Sequence, residues 1–358
     1  MKHQLKLLAL FVLVSTVLSG CSVQVAGSGG TATNSGSDGG VWRSDNKGTN
    51  WAQKSVVIVN GRPSSFGSLD GSILALDPTD NKTIYFGGVA GGLYITNDRG
   101  ESWERSTALG NVTVNGIAVD PTFRCTVYAA VDNKVMKTVD CGRAWNQLYF
   151  DNDPALKINA LTMDPRDGSI IYIGTTRGDV LKSSNRGESW QAIGRFKDKV
   201  AEVKISPFDS KIIMVANVKR GLQLSVDGGA TWEVLDKNLK DLGGANNFRE
   251  LTFSTTKAGQ VYLATGYGIL KSPDYGKTWD KLDLLTPDSN IIINSLAVNP
   301  KNELELFYVT NTTFYRSSDG GKNWNSKKLP SSRAGASVII DPVQPNTLYL
   351  TVKTLKQN

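Results

Sequence analysis

Histidine is all but absent: among 358 residues there is one, His3. It falls in a leader with the features of a removable signal, so the mature chain is expected to contain none. Without an imidazole, Ser-His-Asp and Cys-His hydrolysis, a histidine general base and histidine-ligated zinc are excluded. Cysteine is nearly as scarce, at three residues. Only one long apolar run occurs, at the amino terminus. The formal charge is +7, yet no stretch holds five consecutive basic residues. A dispersed excess of this kind reads as a mixed soluble surface, and no nucleic-acid partner is expected. Length alone is prior weight for two domains or one large one.

What is abundant is glycine, at 36 residues, and tryptophan, at 8. The leader comes first. Lys2 and Lys6 precede the apolar run Leu7 to Leu18. That run is shorter than the roughly 20 residues a membrane-spanning helix needs. Leu18-Ser19-Gly20-Cys21 follows, and it resembles the bacterial lipobox. The resemblance implies a signal peptide over residues 1–20 and an acylated Cys21. Each buried methylene of an acyl chain contributes about 0.8 kcal/mol, so two or three chains hold durably. The expected address is a bacterial membrane, reached by export: the outer leaflet of the cell membrane, or the outer membrane of a Gram-negative cell. Residues 21–38 then comprise the lipidated cysteine and a Gly, Ser and Thr-rich tether with a reach of roughly 20–25 Å.

From residue 39 onward the chain repeats itself. The pattern Ser/Thr-x-Asp/Asn-x-Gly-x-x-Trp occurs seven times. Its acidic or amide positions are Asn46, Asp98, Asp140, Asn185, Asp227, Asp274 and Asp319. Its tryptophans are Trp51, Trp103, Trp145, Trp190, Trp232, Trp279 and Trp324. An Asp or Asn side chain can accept backbone N–H bonds within a turn, and the glycine supplies a positive φ. The octapeptide is therefore read as a structural hairpin turn. It resembles the Asp-box repeat of β-propellers, which implies a turn in each blade and neither a catalytic nor a metal site.

A second repeat interleaves with the first: an apolar strand, a turn often reading Asp-Pro, and another apolar strand. Copies begin at Ile73, Gly116, Ala160, Val203, Leu251, Leu296 and Val338. These are hairpins of partly buried strands. The chain opens on the outer hairpin of a blade and closes on an inner hairpin, so only circular closure completes the set. The expectation is an all-β fold: one seven-bladed β-propeller of four-stranded antiparallel blades over residues 39–358. Closure removes free sheet edges.

Cys125 and Cys141 flank a tight turn near Asp132–Lys134. A three-residue turn centred on Asn133 would set them opposite one another. Export permits oxidation, so a disulfide is expected.

One face of such a ring carries connections between blades, and it is the expected binding face. Its candidates are Arg62, Phe66, Asp70, Tyr149, Phe150, Asp151, Asp153, Arg177, Lys219, Arg220, Asn247, Phe248, Arg249 and Tyr267. Basic residues mixed with aromatics suit an acidic peptide, a lipid headgroup or a sugar.

Four families share the repeats. Sialidases resemble the chain in the Asp boxes alone; they need an arginine triad, and only Phe248-Arg249-Glu250 approaches their opening motif. Xyloglucan-cleaving glucanases share both repeats. The resemblance places their catalytic acid or base at Val89, which transfers no proton, and puts Asp132 in a similar position one blade later. A lone carboxylate falls short of the usual pair. Sortilin receptors are similar but ten-bladed. Photosystem II assembly factors are seven-bladed and, in cyanobacteria, lipoproteins. The expectation is a monomeric, non-catalytic scaffold that binds a protein at the membrane surface, with no cofactor and no metal. Carbohydrate binding or hydrolysis is the alternative.

Overall fold

The structure is a computed structural model, and it describes residues 37–219, 221–239, 242, 247–286 and 292–355. Cys21, the signal peptide and most of the tether lie outside the described residues. So does Arg220.

The second strand of most blades is an unbroken apolar run such as Val127–Val131 or Ile171–Thr175, and every residue of these is buried. Such a strand must be covered on both faces. Neighbouring blades supply the cover. Tyr262 of one blade packs with Leu306, Tyr308 and Trp324 of the next in a single cluster. The result is a closed ring of seven four-stranded antiparallel blades.

Blades are numbered here by their innermost strands: Gly71–Asp77, Val114–Val119, Ile158–Met163, Val200–Ile205, Phe248–Phe253, Ser295–Asn299 and Ala334–Ile340. In blade 7 the order from outside inward is Ala52–Gln53, Val41–Ser44, Leu348–Lys353, Ala334–Ile340. The first and last strands of the described residues thus pair in one blade, with Trp42 opposite Leu350.

The seven octapeptides close on themselves. In each, the Ser or Thr hydroxyl donates to the Asp or Asn side chain and accepts the glycine N–H, as in Thr96 to Asp98 at 2.6 Å and Gly100 to Thr96 at 3.0 Å. The acidic side chain accepts the N–H four residues on, as in Thr231 to Asp227 at 2.9 Å. These donors hold the Asp227 and Asp319 carboxyls at about 2, through Thr231 and Asn323 respectively. Several tryptophans reach the preceding blade: the Trp103 indole donates to the Lys54 carbonyl at 2.8 Å and the Trp232 indole to that of Ile193 at 2.8 Å.

Three details differ from the sequence reading. Residues 57–71 are not a plain connection. Val56–Val59 and Arg62–Ser65 form a hairpin around Asn60-Gly61, both at positive φ (51° and 73°). The Asn-Gly pair, which takes positive φ at both turn positions, is the expected cause. Second, the turn between the cysteines has two residues, Asp132 and Asn133, because Val131 pairs with Lys134. Cys125 and Cys141 still meet in a disulfide with Cα atoms 4.2 Å apart, because both adopt positive φ just outside the regular ladder. Third, Phe66 is not a binding-face residue. It is 3% exposed, stacks on Phe86, lies tilted against Tyr94 and meets Trp103 edge to face, filling the seam between blades 7 and 1.

Candidate functional site

The innermost strands line a central channel of about 400 Å³. Six of the seven carry a register shift near their start, at Ser72, Asn115, Asn159, Ala201, Arg249 and Ala336. A bulge re-aims side chains. Here two consecutive residues at the start of each blade line the channel. The first ring is Ser72, Asn115, Asn159, Ala201, Arg249, Asn294 and Ala336; the second is Ile73, Gly116, Ala160, Glu202, Glu250, Ser295 and Ser337.

Charge is confined to two adjacent strands of these rings. Glu202 and Lys204 come from blade 4, with Lys204 Nζ 3.9 Å from Glu202 Oε1. Arg249 and Glu250 come from blade 5. Enclosure within the ring pushes the Glu250 carboxyl up to about 7, with the nearby Glu202 adding to the effect. Burial also raises Glu202, and the Glu202 carboxylate raises Lys204. Both carboxylates have a structural task as well. Glu202 accepts the Leu251 N–H at 3.0 Å, and Glu250 accepts the Leu296 N–H at 2.6 Å. Ser295 repeats the device with Val338 at 3.1 Å. Each side chain ties its own blade to the backbone of the next.

The mouth of this channel on the connection face is a cavity of about 390 Å³. Val218, Phe248, Ile292 and Ile293 give it an apolar wall, and Arg249, Lys353, Asn294 and the Glu202 carboxylate give it polar groups. Burial and the neighbouring Arg249 charge lower the Lys353 ammonium. Among the described residues neither cation forms an ion pair.

The other candidates are spread more widely. Asp151 gathers three neighbours. Its carboxylate accepts the Asp153 N–H at 3.0 Å, the Arg177 guanidinium at 3.0 Å and the Tyr149 hydroxyl at 3.2 Å. The Asp153 N–H leads the effects that lower Asp151, and burial pushes Tyr149 up to about 12. Arg177 also reaches the buried Asp179 at 2.6 Å. Asp153 itself accepts the Ala155 N–H at 2.9 Å. Phe150 is exposed beneath Lys134, 5.7 Å from its ring. Asp70 holds Arg333 at 2.7 Å and the Thr354 N–H at 2.9 Å, so it fastens blade 7 to the start of blade 1. Tyr267 lies under Lys281 at 4.1 Å. The Lys219 N–H donates to Asp198 at 2.5 Å, and Asn247 accepts the Gly266 N–H at 2.8 Å. Arg62 is exposed on the hairpin. Val89 is exposed in a turn, and Asp132 pairs with Lys157 at 2.8 Å.

The channel residues Glu202, Lys204, Glu250, Asn294 and Lys353 escaped the sequence reading. A signal was present: the inner strands VAEVKI and FRELTF carry charges where the sister strands carry small, amide or apolar residues.

Fold and site define a closed seven-bladed β-propeller with a polar, partly charged channel. No family model matches the chain. A xyloglucanase of Paenibacillus sp is 23% identical over 88% of this chain and 34% of its own length. Sortilin of Danio rerio is 25% identical over 64% of this chain and 29% of its own. The chain spans about a third of the length of the curated relatives it matches. Among solved structures, a GH74 xyloglucanase from Xanthomonas campestris superposes with a TM-score of 0.64 at 19% identity, over 79% of this chain and 51% of that one. YCF48 bound to a D1 peptide superposes with a TM-score of 0.62 at 17% identity, over 80% of this chain and 94% of that one. At these identities the likeness shows the fold.

Proposed function

We propose that the protein is a lipid-anchored, non-catalytic binding propeller of a bacterial membrane. It takes an extended polypeptide segment bearing a carboxylate at the mouth of its channel. The supporting observation is the pair Arg249 and Lys353, two cations without an ion pair among the described residues, beside an apolar wall; the Glu202 carboxylate in the same lining is engaged by the Leu251 N–H and leaves the two cations in excess. Two cations that crowd one another are relieved by an anion, and the apolar wall suits the side chain next to it. A propeller of the same architecture and nearly the same size, YCF48, holds a peptide. The lipobox-like Leu18-Ser19-Gly20-Cys21 supports the anchor and the exported address.

The xyloglucanase likeness favours carbohydrate as the second reading. Against hydrolysis stand Val89 at the expected acid or base position and an Asp132 occupied by Lys157.

Calorimetric titration separates the two. A short peptide ending in a free carboxylate is expected to bind, and Arg249→Ala with Lys353→Ala to abolish binding. A xyloglucan oligosaccharide is expected to give no heat and no reducing sugar. Sugar release that Asp132→Ala removes would overturn the scaffold reading. Labelled fatty acid incorporated by the chain but not by Cys21→Ser is the expected result for the anchor.

A further inference from the structure

The hairpin Val56–Val59/Arg62–Ser65 is a two-stranded sheet that the four-stranded blade repeat does not require. It is added at the rim, where Val57 bridges to Trp103 of blade 1: the Ile58 N–H donates to the Trp103 carbonyl at 3.0 Å and the Trp103 N–H to that of Val56 at 2.9 Å. Val57 is buried by this contact, at 5% exposure. Its neighbours are not. Val56, Ile58 and Val59 are 41%, 42% and 48% exposed. Exposed large apolar side chains elsewhere among the described residues are spread singly along the chain, whereas here Val56 and Ile58 share the strand face opposite Val57 and Val59 follows beside the hairpin turn. Single exposed apolar residues need no explanation; a cluster on a projecting hairpin does.

We propose that this hairpin rests on the lipid surface, with Val56, Ile58 and Val59 in the interface and Arg62 toward anionic headgroups. The idea rests on the lipid-anchor reading and deepens it. Three observations choose a bilayer over another occupant. The described chain begins beside the hairpin's base: Gln53 Nε2 donates to the Ser37 carbonyl at 2.6 Å, and the Gly39 N–H to that of Gly67. Fifteen residues lie between Cys21 and Ser37, a reach of roughly 20–25 Å. An anchored chain therefore keeps this rim close to the membrane. Next, the outer strand of the hairpin carries Pro63, which lacks the N–H that an added strand would use. That disfavours pairing with a second copy or a partner strand. Last, Arg62 is exposed and forms no ion pair among the described residues, and a basic residue flanking apolar side chains suits an anionic surface.

The test uses the full lipoprotein in vesicles of phosphatidylcholine with a minority of phosphatidylglycerol. An environment-sensitive fluorophore is placed at Val59→Cys and, as control, at Val226→Cys, an exposed residue in the Asp box of blade 4. The native Cys125 and Cys141 are tied to one another. The fluorophore at position 59 is expected to shift to the blue and to be quenched by acyl-chain quenchers. The one at 226 is expected to do neither. Equal responses at the two positions overturn the proposal. So does concentration-dependent self-association that Ile58→Asp abolishes, since that assigns the patch to a second copy. The mass of the mature amino-terminal peptide reports acylation independently. An unacylated chain whose position 59 still responds to vesicles keeps the docking surface and removes the anchor; an acylated chain with a silent position 59 does the reverse. With Cys21→Ser, vesicle co-sedimentation is expected to fall about tenfold on adding Ile58→Asp and Val59→Asp. Unchanged circular dichroism would show that the fold survives.

Discussion

The ring is joined differently along two arcs. From blade 6 round through blade 3, three seams are pinned by an ion pair made by the Asp box itself. The fourth residue of each box, at positive φ, reaches back to the preceding blade. Arg99 meets Asp341 at 3.2 Å, Lys47 meets Glu305 at 2.9 Å, and Arg186 meets Asp120. Between blades 4 and 6 the box residues at this position are Tyr275 and Gly320, and the facing turn residues are Ser206 and Ser254. There the carboxylates are at the other end of the seam, in the channel, where Glu202 and Glu250 accept backbone N–H groups. These seams differ in whether the box cation at the rim or a channel carboxylate at the axis makes the latch, and further ion pairs such as Arg333 with Asp70 and Arg124 with Asp80 add to the rim.

Two seams keep the buried turn carboxylate but lack the box cation. Asp77 and Asp164 are buried turn carboxylates like Asp120 and Asp341, at 1% and 0% exposure. The box residues that should face them are Cys141 and Gly228. Their Oδ2 atoms have no hydrogen-bond partner among the described residues. At the first of these seams the disulfide occupies the position that a cation holds elsewhere.

The largest effect is expected from breaking a complete pair. Arg186→Ala leaves the fully buried Asp120 without its cation, and stability should fall by about 3 kcal/mol. Urea denaturation measures it, and Asp120→Asn in the same chain should recover part of the loss. A drop of only a few tenths would mean that the pair is not what holds blades 2 and 3. Next comes the disulfide. Replacing Cys125 and Cys141 by Ser opens a short loop and should cost about 2–3 kcal/mol. Proteolysis should then cut first between residues 120 and 145, if the cross-link stands in for a seam cation.

The converse change completes a seam. Gly228 has φ 76°, close to the 60° of Arg186, and a Cβ there meets open space apart from Lys182 Nζ at 3.9 Å. Gly228→Arg should therefore reach Asp164 as Arg186 reaches Asp120. After the cost of a side chain at positive φ, the gain should be about 1–2 kcal/mol. In an Asp164→Asn background the gain should vanish; a gain that persists there would show that the introduced guanidinium stabilises by some other contact.

These seams also show what could be read in advance. The octapeptides were legible because each closes its own hydrogen bonds, so local sequence determines local shape. Their spacing gave blade count and circular closure. The channel was illegible for a geometric reason. Alternation tells which residues share a face, yet the bulge at Ala201 and Arg249 breaks the alternation and brings two consecutive residues to the axis. Phe66 was misplaced because a loop aromatic is equally free to face water or to fill a seam. Its burial depends on Phe86 and Tyr94, which come from elsewhere in the sequence. The hairpin was missed although Asn60-Gly61 announced it.

The two arcs should answer pH in opposite directions. At the rim, burial opposes ionisation, yet the Lys47, Asn299 and Arg316 donors hold Glu305 below its usual range. Asp120 is likewise lowered, by Thr122, backbone N–H groups and Arg186 acting against burial. A lowered carboxyl contributes stability above its unfolded pKa and loses it as pH falls, so the rim weakens in acid. In the channel, Glu250 is raised from 4.5 to about 7. A raised carboxyl holds its proton longer in the folded state. Its contribution is complete below 4.5 and is lost as pH rises through 7. Glu250→Gln keeps an oxygen for the Leu296 N–H and removes the titration. Allowing for screening by channel water, the variant should be more stable than the parent by about 1 kcal/mol at pH 8. The two should converge near pH 4.5. Urea midpoints across this range measure the difference. A gap that stays constant with pH would show that Glu250 acts only through its hydrogen bond, and the contrast between the arcs would then reduce to the placement of their latches.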